Sequence, residues 1–222
     1  MNYRQIPNLI TTARLILAVV FFVILSWYQF EGRGHSTLLT LGFFICLVAV
    51  STDYLDGYLA RKWNVESGFG RVVDPFVDKI LVLGSFIFFA GKNFIISEAA
   101  DPHPYVVRTI TGITPAMVVV ILGRELLVTS LRGLAEKSGV SFGADKWGKL
   151  KMVMQSITIL VIVAFVYFLG VVQKHFEGAL VSYRFWAEWF RDIMIWLTLI
   201  ITVISAWGYL SRSIQLMRSP SR

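Results

Sequence analysis

Asp53-Tyr54-Leu55-Asp56-Gly57-Tyr58-Leu59-Ala60-Arg61 is followed, eight residues later, by Gly70-Arg71-Val72-Val73-Asp74-Pro75-Phe76-Val77-Asp78. Four carboxylates and an arginine thus stand between two strongly apolar runs. A charge placed in hydrocarbon is costly unless it is paired, hydrated or bound to an ion. Four acids this close also repel one another. Hard oxygen donors in such a group suit Mg²⁺, Mn²⁺ or Ca²⁺. The spacing sharpens the point. Asp53 and Asp56 are three apart, Asp53 and Gly57 four apart, and Asp74 and Asp78 four apart. On helices each set shares a face. Two helices joined by a short turn would bring all four carboxylates to one spot, enough for one or two metal ions. Gly57 and Ala60 carry almost no side chain, so a flat ligand such as a nucleotide base has room against the helix backbone. The competing reading is a solvated interhelical loop with acidic helix caps, but a loop does not require acids at helical spacing beside a small-residue face.

The runs on either side are membrane-like. Of 222 residues, 56% are apolar, and the mean hydropathy is +0.66. A soluble domain usually has about 45–50% apolar residues. An apolar run of about 20 residues crosses a bilayer as a helix. Six such spans are expected, at about 8–29, 37–60, 76–97, 112–135, 149–171 and 188–211, in an all-α integral membrane protein with a single domain over 1–222. A short interfacial helix is expected ahead of the first span. There Ile6, Leu9, Ile10 and Ala13 face lipid while Asn8, Thr11 and Arg14 point elsewhere. Pro75 is expected at the first turn of the third span, where proline is tolerated.

The net charge is +7, and its placement matters. Arg4, Arg14, Arg61, Lys62, Arg71, Arg132, Lys137, Lys146, Lys149, Lys151, Arg212, Arg218 and Arg222 fall on one side of the expected spans. Fewer basic residues fall on the other. The positive-inside rule then places both termini and the acidic stretch in the cytoplasm, in an inner, cytoplasmic membrane. A nucleic-acid partner is not expected, since no soluble basic face supports it. Cys46, the single cysteine, falls within the second span, where it reads as a small core residue. His103 reads as solvated. Tyr183, Trp186, Trp189 and Phe190 read as an interfacial aromatic belt.

A second cluster lies further on. Arg124 and Glu125 are charges within an apolar helix and need a partner or a wet cavity. Arg124 and Arg132 are eight apart, about two turns on a similar face. With Lys149 they form an expected pocket for an anionic substrate, since arginine clamps phosphate with two prongs and lysine adds a point charge. Positive-inside topology alone accounts for Lys137 and Lys151 but leaves the deep Arg124 unexplained.

The pattern D-x2-D-G-x2-A-R-x8-G-x3-D-x3-D resembles the signature of the CDP-alcohol phosphatidyltransferases, with every fixed position filled. Ile6-Pro7-Asn8-Leu9-Ile10-Thr11 with Arg14, then Gly123-Arg124-Glu125, Thr129, Arg132 and Trp147-Gly148-Lys149, resemble the phosphatidylglycerophosphate synthase branch of that family. The resemblance covers most of residues 1–155 and is less exact in the second region. It implies transfer of a phosphatidyl group from CDP-diacylglycerol to sn-glycerol 3-phosphate, with release of CMP. It implies ligation of two divalent ions, Mg²⁺ or Mn²⁺, by Asp53, Asp56, Asp74 and Asp78. It gives Asp78 the role of general base. Asn8, Thr11, Asp56, Gly57, Ala60, Arg61 and Gly70 would hold the CDP moiety, and Arg124, Arg132 and Lys149 the glycerol phosphate. The partners implied are the two substrates, membrane lipids and a second copy of the chain in a homodimer. Two alternatives stand beside this: the same chemistry with another acceptor such as inositol phosphate, and a cation transporter using the acids as its site.

Overall fold

The computed structural model describes residues 6–30, 36–63, 68–96, 108–137, 146–175 and 180–218, and side chains over 9–30, 37–52, 76–77, 79–96, 108–135, 147–170, 183–211 and at 213. Six α-helices are found among the described residues: α1 (Ile6–Trp27), α2 (Ser36–Trp63), α3 (Gly68–Phe89), α4 (Pro115–Lys137), α5 (Lys146–His175) and α6 (Leu180–Arg218). Each expected span corresponds to one of them. The chain is an all-α membrane protein. Within the described residues Leu9–Trp27, Trp147–Gly170 and Tyr183–Ser211 are long and apolar enough to cross a bilayer, and Thr37–Thr52 and Lys79–Phe89 are shorter apolar stretches.

The first helix shows how such a chain sorts its residues. Thr11, Arg14, Ala18, Phe21 and Leu25 are buried, at alternating steps of three and four. Leu9, Ile16, Val19, Val20, Val23 and Trp27 are exposed. The outward face is mostly apolar, while Thr11 and Arg14 turn toward the bundle beside Ala18, Phe21 and Leu25, unlike a soluble helix with its polar exterior. The segment expected at the interface is continuous with the span, because nothing between Pro7 and Trp27 breaks the helix. Proline within the first turn does no harm there.

The third helix departs from expectation. It begins at Gly68, so Pro75 lies inside it rather than at its first turn. Proline has no N–H for the carbonyl of Arg71, and the helix carries that one missing bond. The third span also ends earlier than hydropathy suggests, at Phe89 rather than near residue 97. The apolar residues beyond it are used in a cap. A 3-10 turn at Lys92–Phe94 is followed by an antiparallel bridge between Ile95 and Thr109. Phe94 is buried against Phe89 and Tyr28, with ring centroids 5.9 and 5.7 Å apart. Hydropathy sees the apolar side chains but not that they fold back as a plug.

Hydrogen bonds through this cap fix the helix directions. Asn93 donates from Nδ2 to the carbonyls of Leu25 and Ser26, each at 3.0 Å, tying the ends of α3 and α1 together. Thr111 donates from its hydroxyl to the Phe89 carbonyl at 2.7 Å, and Arg191 donates to the Ile110 carbonyl at 2.6 Å. The ends of α1 and α3 and the beginnings of α4 and α6 therefore meet at one end of the bundle. The acid-bearing ends of α2 and α3 lie at the other, with the start of α5 and the end of α6. At the capped end, Gly112 turns the chain into α4 with φ of 74°, a conformation favoured by glycine. Gly84 is required for another reason: a Cβ on it would come within 2.4 Å of the Phe22 ring, so only a bare backbone lets α1 and α3 approach this closely.

The last helix is longer than the expected span. Its 39 residues measure about 58 Å at 1.5 Å per residue, more than the ~30 Å hydrocarbon layer. Tyr183, Trp186, Trp189 and Phe190 are exposed on its first part, as an interfacial belt requires.

Candidate functional site

A cavity of about 600 Å³ opens between the helices toward the acid-bearing end, and five of its lining side chains are cations: Arg14, Lys79, Arg124, Arg132 and Lys151. One carboxylate, Glu125, lies with them. Five positive charges against one negative leave an excess of four among the described residues. Such a surplus in a low-dielectric wall is expensive unless anions come to it.

The lining is assembled from several helices. Helix α4 supplies Arg124, Glu125, Val128, Thr129, Arg132 and Gly133. Their spacing of three and four puts them on one side of the helix. Arg124 donates from Nε to the Ser205 hydroxyl on α6 at 3.1 Å and from Nη1 to Glu125 at 3.0 Å. Lys151 of α5 donates to the same Glu125 oxygen. Glu125 therefore stands between two cations and fixes both. The Lys79 ammonium donates to the Thr129 hydroxyl at 2.7 Å, and that hydroxyl donates back to the Glu125 carbonyl at 2.7 Å. Arg132 donates to the Tyr209 hydroxyl, and its guanidinium carbon lies 4.8 Å from the Tyr209 ring centre. Its buried Nε has no hydrogen-bond partner among the described residues. Gly148 lies alongside; a Cβ there would stand 3.5 Å from the Tyr209 hydroxyl.

Arg124 and Arg132 thus line one cavity, as their spacing suggests. Lys149 does not. It is exposed, and Lys151 lines the cavity instead. Gly148, Lys151, Met152 and Gln155 repeat at three and four along α5 and share its inner face, while Lys149 lies about 100° round the helix from Gly148. Positive-inside topology alone therefore does not account for Lys151. Arg14, Lys79 and Gln155 were absent from the expected site. The signal for Arg14 was available, since it shares the inward stripe with Thr11. Thr11 is itself buried but is not part of the cavity wall.

The backbone places the acids beside this cavity. Asp53, Asp56, Gly57, Ala60 and Arg61 lie on the last turns of α2, and Gly70, Asp74 and Asp78 on the first half of α3, all in helical conformation. The expected face-sharing within each pair therefore holds at the level of the backbone. The side chains of these residues and of Asn8 lie outside the described residues. Ala49 and Val50, one turn before Asp53, line the cavity, as does Lys79, the residue after Asp78. By the chemistry of their residue type alone, four carboxylates carried on two successive helices suit a hard divalent cation. Among the described residues no group of three His, Cys, Asp or Glu is placed to hold a metal.

With that arrangement in view, the chain belongs to the CDP-alcohol phosphatidyltransferase family, which matches residues 4–204. It is thus a membrane-embedded transferase. Among curated relatives, a Bacillus subtilis protein is 29% identical, covering 97% of this chain and 98% of its own length. A Haemophilus influenzae protein is 30% identical, covering 93% and 91%. One from Cereibacter sphaeroides is 26% identical, covering 98% and 99%. All three are named CDP-diacylglycerol–glycerol-3-phosphate 3-phosphatidyltransferase.

Proposed function

We propose that this protein transfers a phosphatidyl group from CDP-diacylglycerol to sn-glycerol 3-phosphate, giving phosphatidylglycerophosphate and CMP. The observation that carries the reading is the cavity with four surplus positive charges among the described residues, bordering the acid-bearing turns of α2 and α3. A phosphorylated acceptor satisfies the cations, and a diphosphate donor belongs at the acids. The names of the relatives agree. Inositol phosphate would satisfy the same cations and is the acceptor to test against.

Asp53, Asp56, Asp74 and Asp78 would hold one or two divalent ions, Mg²⁺ or Mn²⁺. Bound there, the ions would neutralise the diphosphate and stabilise the departing CMP. The chain's own residues do the rest. Gly57 and Ala60 leave room for the cytidine, Arg61 meets a nucleotide phosphate, and Asn8, Thr11, Asp56 and Gly70 complete the CDP subsite. Arg124, Arg132 and Lys151 bind the acceptor phosphate, with Lys151 in the role that the family resemblance implies for Lys149. Asp78 takes the proton of the acceptor hydroxyl. The hydroxyl oxygen forms a bond to the phosphorus next to diacylglycerol. The bond from that phosphorus to the oxygen bridging it to CMP breaks, and CMP leaves with the electron pair.

The same reading puts both termini and the site on the cytoplasmic side of an inner membrane, with the chain as a homodimer. Basic residues concentrated at the acid-bearing end support that orientation.

The deciding experiment supplies purified protein and CDP-diacylglycerol with radiolabelled acceptors one at a time. CMP release with sn-glycerol 3-phosphate, far above that with inositol phosphate or serine, is expected. Chelation of divalent ions should abolish it, and Mg²⁺ or Mn²⁺ should restore it. Metal-dependent ion flux without any CMP would instead favour a transporter.

A further inference from the structure

Gln155 has no role in the reading above, yet it occupies the cavity wall. It is 2% exposed, and its Nε2 has no hydrogen-bond partner among the described residues. A buried amide without a partner is costly and rare, so each instance asks for a ligand or a water. Its position is specific. It lies one turn beyond Lys151 on the same face of α5, about 6 Å further from the acid-bearing end at 1.5 Å per residue. Ser156 follows it and also lines the cavity. The cations of the wall are suited to a phosphate. A neutral amide beside a hydroxyl residue is suited instead to a neutral oxygen. Around them the wall is apolar, with Leu81, Val82, Leu83 and Met152.

We propose that Gln155 reads the non-reacting hydroxyl of the acceptor, and so selects a polyol phosphate over a simple alcohol phosphate. The proposal rests on the reading of the site as an acceptor pocket. A three-carbon acceptor anchored by its phosphate presents one hydroxyl to the donor and keeps the middle hydroxyl free. Gln155 donates to the oxygen of that middle hydroxyl. A pocket built to hydrogen-bond a hydroxyl rejects the analogue that lacks it, because the buried amide is then left unpaired. A plain apolar pocket has no such discrimination.

The test compares sn-glycerol 3-phosphate with 3-hydroxypropyl phosphate, which keeps the phosphate and the reacting hydroxyl but lacks the middle one. CMP release is measured for both with purified wild type and with Gln155→Met. Wild type should favour glycerol phosphate by about 100-fold in kcat/KM, a conservative figure for a missing substrate hydroxyl. Gln155→Met should reduce that preference below about tenfold, chiefly through a loss on glycerol phosphate, with the KM for CDP-diacylglycerol unchanged. Retained turnover of 3-hydroxypropyl phosphate by the variant certifies its fold. An unchanged preference in the variant would overturn the proposal. So would a variant whose main defect is in CDP-diacylglycerol binding. Should the variant not fold, wild type decides alone: equal use of the two acceptors overturns the proposal while leaving the acceptor-pocket reading intact. Wild type inactive with glycerol phosphate but active with another acceptor would instead overturn that reading.

Discussion

Arg124 and Arg191 are buried to the same degree, each 8% exposed, one on α4 and one on α6, toward opposite ends of the bundle. Arg191 is closed in by the protein. It donates to the Ile110 carbonyl, pairs with Asp192 at 2.7 Å, and lies with its guanidinium carbon 4.6 Å from the Phe165 ring centre. These contacts fasten the start of α6 to the turn before α4. Arg124 is also held, by Ser205 and Glu125, but it borders a cavity whose described lining carries five cations against one carboxylate. The lesson is that a buried arginine in a membrane protein does not by itself mark a site. Open volume next to a local excess of one charge does.

That contrast can be broken most decisively at the acids. Asp78→Asn should lower CMP release by about 10²–10⁴-fold, the usual contribution of a general base, while CDP-diacylglycerol still binds. Near-normal turnover would remove Asp78 from the proposed role. Next, Arg132→Ala should raise the KM for glycerol phosphate by about 10–150-fold, from the 1.5–3 kcal/mol expected of hydrogen bonds to charged groups. The KM for the lipid should hardly move; equal effects on both substrates would count against an acceptor pocket. A paired experiment sharpens the geometry. Lys151→Met should cut kcat/KM at least about tenfold, whereas Lys149→Met should stay within about threefold, since exposed charges contribute little. The reverse ranking would mean that α5 is rotated from the orientation described. The smallest functional effect belongs to Arg191→Leu. It should leave both KM values unchanged and lower stability by about 1–3 kcal/mol through the unpaired Ile110 carbonyl, read as a lower thermal midpoint in detergent. A changed acceptor KM there would blur the distinction between the two arginines.

Much of this was legible from local pattern. Arg124 and Arg132 at a spacing of eight pointed to one face, and they do line one cavity. The six apolar runs became six helices. Thr11 and Arg14 turned inward while Leu9 turned out. Other features were not legible. Pro75 looked like a helix start because proline usually interrupts helices, yet α3 begins a full seven residues earlier. Phe94, Ile95 and Ile96 look like the end of a span because they are apolar, yet Phe94 folds back onto Tyr28 and Phe89. Lys149 and Lys151 are indistinguishable by composition. Only the rotation of α5 against its neighbours separates them.

The sequence by itself determined that the chain is helical, membrane-embedded and equipped with four acids at helical spacing, because these follow from hydropathy and from the 3.6-residue period along one chain. Tertiary packing decided which cations share a cavity, which arginine is merely a fastener, and that the Gln155 amide nitrogen has no partner among the described residues. Those depend on the angle at which each helix presents its faces to the others, and that angle is set by contacts between residues far apart in the chain.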